Sequence, residues 1–380
     1  MATSSMAWPA ALPAERAKTI PWTIWACAAA VTSVAIGGHW DIAWHRAIGR
    51  DEFWTPPHIA IYSCGVLAGV ACAWLILRTS FFGGDRAGTV SIWGLRAPLG
   101  AFIIAWGGTM MLTSAPFDDW WHSAYGLDTK ILSPPHMLLV AGILSVKAGT
   151  LLLIMGAMNR SASRALNWLF LYVGAMMLVT LSVSVMELSN RVQQHSAMFY
   201  RATAIVAPAA LVALGTASRM RWGGSIAAGI YTLFMMALIW ILPLVPAEPK
   251  LGPVYYPVTH LVPPYFPVLL IAPALAMDWW RQRYGAKAWA LGALFLAVLL
   301  LVEWPFASFL NSEYARNWFF GSHYFGYYQR PDSLQRLHKF AVVEKTPAEF
   351  AWRMAQALLA AVAASWLGLR WGRWMGSVAR

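Results

Sequence analysis

The chain has 380 residues, of which 59% are hydrophobic and 12% charged, and its mean hydropathy is +0.53. A soluble domain of this length carries roughly twice that charged fraction, so a soluble globular protein is excluded. The net charge of +12 is spread over many short loops with no basic run or arm, which excludes a nucleic-acid partner.

Apolar runs of about 20 residues, each enough to cross a bilayer core of about 30 Å, predict ten membrane spans. They cover about 20–39, 58–78, 97–115, 135–157, 166–187, 199–217, 224–245, 259–277, 287–306 and 354–371. Backbone groups in lipid must bond within their own segment, so every span is expected to be helical. The first, "IPWTIWACAAAVTSVAIGG", follows Arg16 and Lys18 and reads as an uncleaved anchor rather than a secretory signal. Placing the N-terminus in the cytoplasm puts most loop cations inside, among them Arg78, Arg86, Arg96, Arg219, Arg221, Arg281 and Arg373. Few fall outside, such as Arg46, Arg50 and Lys130. This alternation predicts an all-α polytopic transmembrane bundle, one integral membrane domain over 1–380, with both termini cytoplasmic. The implied location is a bacterial-type inner (plasma) membrane. The segment 307–353 is expected to be a long outer aromatic loop, a lid or a docking surface. The three cysteines, Cys27, Cys64 and Cys72, fall inside predicted spans and form no CxxC motif or disulfide framework.

Between the first two spans stands "DIAWHRAIGRDEFWTPPH", Asp41 to His58. Between the third and fourth stands "DDWWHSAYGLDTKILSPPH", Asp118 to His136. Aligned on His45 and His122, Asp41 matches Asp118, Trp44 matches Trp121, Gly49 matches Gly126 and Asp51 matches Asp128. Pro56-Pro57-His58 then matches Pro134-Pro135-His136, the second copy carrying one extra residue before its proline pair. We read 38–142 as a duplicated Asp-His-His unit, 38–65 and 117–142. Asp and His four apart share one helix face. Pro-Pro opens the following helix, where missing N–H groups cost nothing. Each unit can therefore aim two imidazoles and a carboxylate at one point, a donor set that suits copper, zinc, iron or nickel. The candidate metal ligands are Asp41, His45 and His58 at one site and Asp118, His122 and His136 at the other. Asp51 and Asp128 are candidates to orient an imidazole through its other nitrogen. A lone histidine in an interfacial loop is usually an ordinary hydrogen-bonded residue. Two copies of the whole set at membrane boundaries weigh against that reading.

These residues resemble a known family. The pattern at Asp41, His45, Asp51, Trp54, Pro56 and His58, with the run "GRDEFWTPPHIAIY", is similar to the metal motif in the C subunit of the copper membrane monooxygenases. That family includes particulate methane monooxygenase and ammonia monooxygenase. The resemblance implies one copper site at Asp41, His45 and His58, and a second at Asp118, His122 and His136. The family has Asn where this chain has Asp118, and the neighbouring Asp119 is an alternative ligand. The resemblance covers about 38–142. The remaining membrane helices show neither an A-subunit signature nor a soluble cupredoxin-like domain.

The rest of the chain offers weaker candidates. Glu187 and His195 flank "MELSNRVQQH", and His260 stands in "PVTHLVPPYFP". Glu303 ends the ninth span, Lys147 lies inside the fourth, and His323 and His338 read as ordinary loop residues. The methionine-rich patches read as packing. No phosphate-binding, dinucleotide or Ser/His/Asp signature is present. The expected function is therefore a copper-dependent membrane monooxygenase or a catalytic subunit of one, with Asp41, His45 and His58 as catalytic residues. It would hold one or two copper ions per chain, with zinc as the alternative metal. Its partners would be dioxygen, a small apolar or neutral substrate (ammonia, methane or a short hydrocarbon), the lipid bilayer and an external electron donor. Association with copies of itself or with partner subunits is left open. The competing reading is a membrane copper transporter, chaperone or sensor using the same ligands.

Overall fold

Proline and glycine set the punctuation of this chain, and long runs without charge set its helices. The computed structural model describes residues 19–49, 51–126, 133–161, 163–188, 194–250, 258–310 and 343–378. Helix α1 is Trp22–Ala47 and α2 is Pro56–Phe81. A small antiparallel hairpin follows, β1 (Val90–Ile92) and β2 (Leu95–Ala97). Its two-residue turn needs Trp93 and Gly94 at φ 50° and 82°, the turn geometry that matches strand twist. Then come α3 (Leu99–Tyr125), α4 (Pro134–Arg160), α5 (Arg164–Leu188), α6 (Ala197–Ala217) and α7 (Gly223–Ile241). The described chain ends with α8 (Ile271–Tyr284), α9 (Ala288–Leu310) and α10 (Pro347–Ser377).

Eight of these helices, all but α1 and α8, are long and apolar enough to cross a membrane. The protein is a helical membrane bundle. Helix α1 is as long as α2 but is diluted by Thr32, Ser33, Gly37, Gly38 and His39.

The structure departs from the sequence reading in three places. The predicted eighth span, 259–277, is a helix only from Ile271 onward; residues 258–269 are not helical. Pro263, Pro264 and Pro267 remove helix donors and clash with the preceding turn, so the first half stays irregular. Helices α1 and α3 run about two turns past their apolar runs, because hydropathy marks where lipid ends and not where the helix does. Finally, the expected loop 307–353 is helical at both ends, to Leu310 and from Pro347. Its centre, 311–342, with His323 and His338, lies outside the described residues, as do both chain termini.

Glycines bring the first four helices close. A Cβ on Gly107 of α3 would meet the Gly142 carbonyl of α4 at 2.8 Å, and a Cβ on Gly142 would meet Met111 at 2.7 Å. Gly65 of α2 lies against Met111 and Gly108 of α3 in the same way. Small residues at such crossings let backbones approach where lipid offers no hydrophobic drive to associate. Farther along the chain, α10 runs parallel to α6, with Gly368 against Ala209 and Gly372 against Ala213. Lys147 is fully buried and is satisfied by α5, donating to the Met176 carbonyl at 2.8 Å and to the Thr180 hydroxyl. It acts as a polar link between α4 and α5. The thiols of Cys27 and Cys72, on neighbouring helices, lie 3.7 Å apart, a proximity that sequence spacing did not reveal.

The α3–α4 crossing yields a test. Gly142→Ala should lower the stability of the protein in detergent by about 1–3 kcal/mol through overpacking. Gly38→Ala, whose Cβ meets nothing within 4 Å, should leave it unchanged or raise it. Thermal unfolding followed by circular dichroism reads both, and equal effects would contradict the close approach.

Candidate metal centres

Helix ends build both clusters. In the first, α1 delivers Asp41 and His45 from its last two turns, and α2 delivers His58 from its first. Two residues after α1, Gly49 takes φ 84°, and in the second copy Gly126 takes the same φ 84° directly after α3. The glycine matched by the repeat is required at both places because the chain leaves the helix through the left-handed region. Pro56-Pro57 and Pro134-Pro135 then start α2 and α4. Both helix pairs thus turn back sharply, and the histidine after each proline pair faces the preceding helix.

His58 Nε2 lies 3.2 Å from Asp41 Oδ1 and 3.1 Å from Asp51 Oδ2. His45 Nε2 lies 3.4 Å from Asp51 Oδ2 and 3.7 Å from Asp41 Oδ2. One donor atom from each of Asp41, His45, Asp51 and His58 falls within a 4.8 Å group. Asp51 therefore belongs among the candidate ligands. It does not orient an imidazole from behind, as its place in the sequence suggested, because it touches the same Nε2 atoms that face Asp41. A turn sets it there. Glu52 N–H donates to the Thr55 hydroxyl at 2.9 Å, and the Glu52 carbonyl accepts from Thr55 N–H at 3.0 Å. That same carbonyl lies 3.0 Å from His58 Nδ1. With Nδ1 held by the Glu52 carbonyl, Nε2 is the nitrogen turned to the two aspartates, and it can ligate a metal once its own proton is displaced.

The second cluster repeats the arrangement with three groups. His122 Nε2 is 3.5 Å from Asp118 Oδ2, and His136 Nε2 is 3.6 Å from Asp118 Oδ1. Here a backbone carbonyl meets the other histidine of the unit: that of Gly126 lies 3.1 Å from His122 Nδ1, whereas Glu52 meets His58. Asp118, His122 and His136 form the second metal-capable group. Asp128 lies outside the described residues.

The two clusters share one end of the bundle, since α2 and α3 run antiparallel and pack through Gly65 and Gly108. Tyr62, one turn after His58, senses carboxylates of both, Asp118 as well as Asp41 and Asp51. Its ring lies 5.8 Å from that of His58 and 5.3 Å from that of Phe53. Electrostatics in the loop follow from the geometry. Burial pushes the Asp51 carboxyl up, but the hydrogen bonds from His45 and His58 outweigh it and hold that carboxyl well below the usual range.

The weaker candidates stand elsewhere. Asp119 is exposed and lies outside the second group, since adjacent residues diverge on a helix. Glu187 is exposed near the end of α5. His195 Nε2 lies 2.9 Å from the Trp304 carbonyl and 3.1 Å from the Ser308 hydroxyl, a structural role at the end of α9. His260 pairs with Pro246 in an isolated bridge. None of the four is brought to either cluster. Sequence reasoning underrated Asp51, although its match with Asp128 in the repeat was the available signal. Compared with models of known protein families, with curated proteins and with solved structures, the chain finds no match.

Metal bound at these nitrogens must displace protons, because imidazole ligates only when neutral. Affinity for a divalent metal at the first cluster should therefore fall as pH is lowered, and the fall should begin above the usual imidazole range, because the hydrogen bond to Asp51 holds the proton on His45. Asp51→Asn should weaken binding at the first cluster by more than about tenfold and leave the second unchanged. Calorimetric metal titration of the variant beside Asp118→Ala separates the sites. Equal loss at both clusters, or at neither, would remove Asp51 from the ligand set.

Proposed function

We propose that the protein is a copper-dependent membrane monooxygenase, or the catalytic subunit of one, related to the C subunit of the copper membrane monooxygenases. The observation that carries the reading is the convergence of two Asp–His–His groups, built alike at one end of the bundle. The donor set fits. Two imidazole nitrogens with carboxylate oxygen suit copper in preference to hard cations, with zinc the competing occupant. Copper held there would supply the one-electron chemistry that activates dioxygen, with reducing equivalents from an external donor.

The chain's own residues do the rest. Asp41, His45 and His58 hold and orient one ion, and Asp51 adds a second carboxylate to offset its charge. Asp118, His122 and His136 hold the other. The backbone carbonyls of Glu52 and Gly126 fix the imidazole tautomers. Tyr62 lies beside His58 at one side of the first cluster, with Phe53 against it. An aromatic wall of this kind suits a small apolar or neutral substrate such as ammonia, methane or a short hydrocarbon. We place the clusters at the periplasmic face of a bacterial-type inner membrane, from the distribution of loop cations.

A second reading, a membrane copper transporter, chaperone or sensor, draws on the buried Cys27–Cys72 thiol pair and the buried His39 on α1 and α2. Copper uptake into proteoliposomes would favour it.

The deciding experiment is elemental analysis of detergent-purified protein, wild type beside His45→Ala and His122→Ala. We expect one or two coppers per chain, with each variant losing its own site. The wild type, given dioxygen and a reductant, should then hydroxylate a small substrate, and His45→Ala should not. Zinc in place of copper, or copper without dioxygen-dependent product, would overturn the oxygenase reading.

A further inference from the structure

The polar chemistry of the bundle is not confined to the two clusters. The broken eighth span exposes irregular backbone inside the protein: residues 261–268 are all buried and none is helical. Such backbone is tolerated at membrane depth only where the protein satisfies it or it lines a cavity. Three of the carbonyls involved have side-chain partners. Tyr231 and Thr232 of α7 donate to the Pro267 and Val268 carbonyls at 3.1 and 3.2 Å, and Arg46 donates to that of Pro263 at 3.3 Å.

One group facing this break is not provided for. Glu303 of α9 is 0% exposed, and neither carboxyl oxygen meets a donor in hydrogen-bond geometry, although the Leu269 N–H at the start of α8 approaches it. Tyr200 of α6 is likewise 0% exposed, its hydroxyl has no hydrogen-bond partner, and it lies within electrostatic reach of Glu303. Its ring stacks on Trp304 at 6.4 Å, and His195 covers the same indole at 4.6 Å. No cation among the described residues neutralises the acid. Arg353 of α10, whose neighbour Phe350 touches Trp304, is committed to Glu344 and Glu349.

A carboxylate buried without a cation is too costly to persist, so the group must hold either a proton or a bound ion. A hard cation needs a cage of several oxygens. Here the hydroxyls of Tyr231 and Thr232 and the carbonyls they meet are already paired with one another. Discontinuous helices with buried polar groups at the break are the usual place for ion and proton sites in membrane proteins.

We propose that Glu303 is a proton-binding site at the break before α8, separate from the Asp–His clusters, with Tyr200 as a neighbouring polar group. A proton from water bonds to one carboxylate oxygen and leaves by the same bond; no electron moves. A proton held there removes, at the break itself, the charge that burial would otherwise leave on Glu303.

Infrared spectroscopy of the full-length protein in lipid tests this directly. At neutral pH the carbonyl band of a protonated carboxylic acid should be present, shift in heavy water and vanish in Glu303→Gln. Tyr200→Phe should move its frequency. Dicyclohexylcarbodiimide, which adds to protonated carboxyls, should label Glu303 by peptide mass spectrometry, and excess sodium should not protect it. Absence of the Glu303 band would overturn the proposal. Sodium removing the band or the label would replace the proton by an alkali cation, and a band indifferent to Tyr200→Phe would remove the tyrosine. Copper content should be unchanged in Glu303→Gln, so this proposal and the metal reading fail independently.

Discussion

In a hydrocarbon surround every backbone N–H and C=O must find a partner inside the protein, and this bundle can be understood from where that rule is hardest to meet. It is met trivially inside the eight long apolar helices. It becomes demanding where chains reverse between α1 and α2 and between α3 and α4, and where the eighth span breaks. The reversals are handled with Gly49 and Gly126 leaving the helix through positive φ and with proline pairs that have no N–H to satisfy. The break is handled by hydroxyls from α7 and a guanidinium from α1. The metal-capable side chains lie at the reversals, and the buried Glu303 lies at the break.

Much of this was legible in the sequence, for identifiable reasons. The duplicated motif encodes its own geometry: four-residue spacing fixes Asp and His on one face, glycine fixes the exit and Pro-Pro fixes the next helix start. The pairing of His58 with Asp41 and of His136 with Asp118 follows from those elements alone. What spacing could not encode is the path of a loop. Asp51 reaches both histidines only because a turn built on Glu52 and Thr55 folds it inward. Apolar length alone also misread the eighth span, where prolines within a hydrophobic run override its hydropathy. Contacts between distant elements, such as Cys27 with Cys72 or Tyr200 with Trp304, leave no periodic trace.

The two clusters are alike in construction, and Asp128, which the repeat matches to Asp51, lies outside the described residues. The first has two carboxylates for two imidazoles; the second has one among the described residues. Tyr62 senses carboxylates of both, so a change of charge at either cluster is felt beyond it in a medium where screening is weak.

The proline pairs have a further electrostatic consequence. A helix N-terminus ordinarily attracts carboxylates, because its first N–H groups lack partners and carry partial positive charge. Asp41, Asp51 and Asp118 lie beside the starts of α2 and α4, so capture as caps would be their cheapest fate. Pro56-Pro57 and Pro134-Pro135 remove the first two of these donors at each helix, and neither helix start has a side-chain cap. Meanwhile the C-terminal ends of α1 and α3, with partial negative charge, face the same space and favour a cation there. The carboxylates are left to the imidazoles. A metal entering between Nε2 atoms then meets the carboxylate oxygens that already face those nitrogens. The residues that shape the turn are therefore the ones that keep the site available.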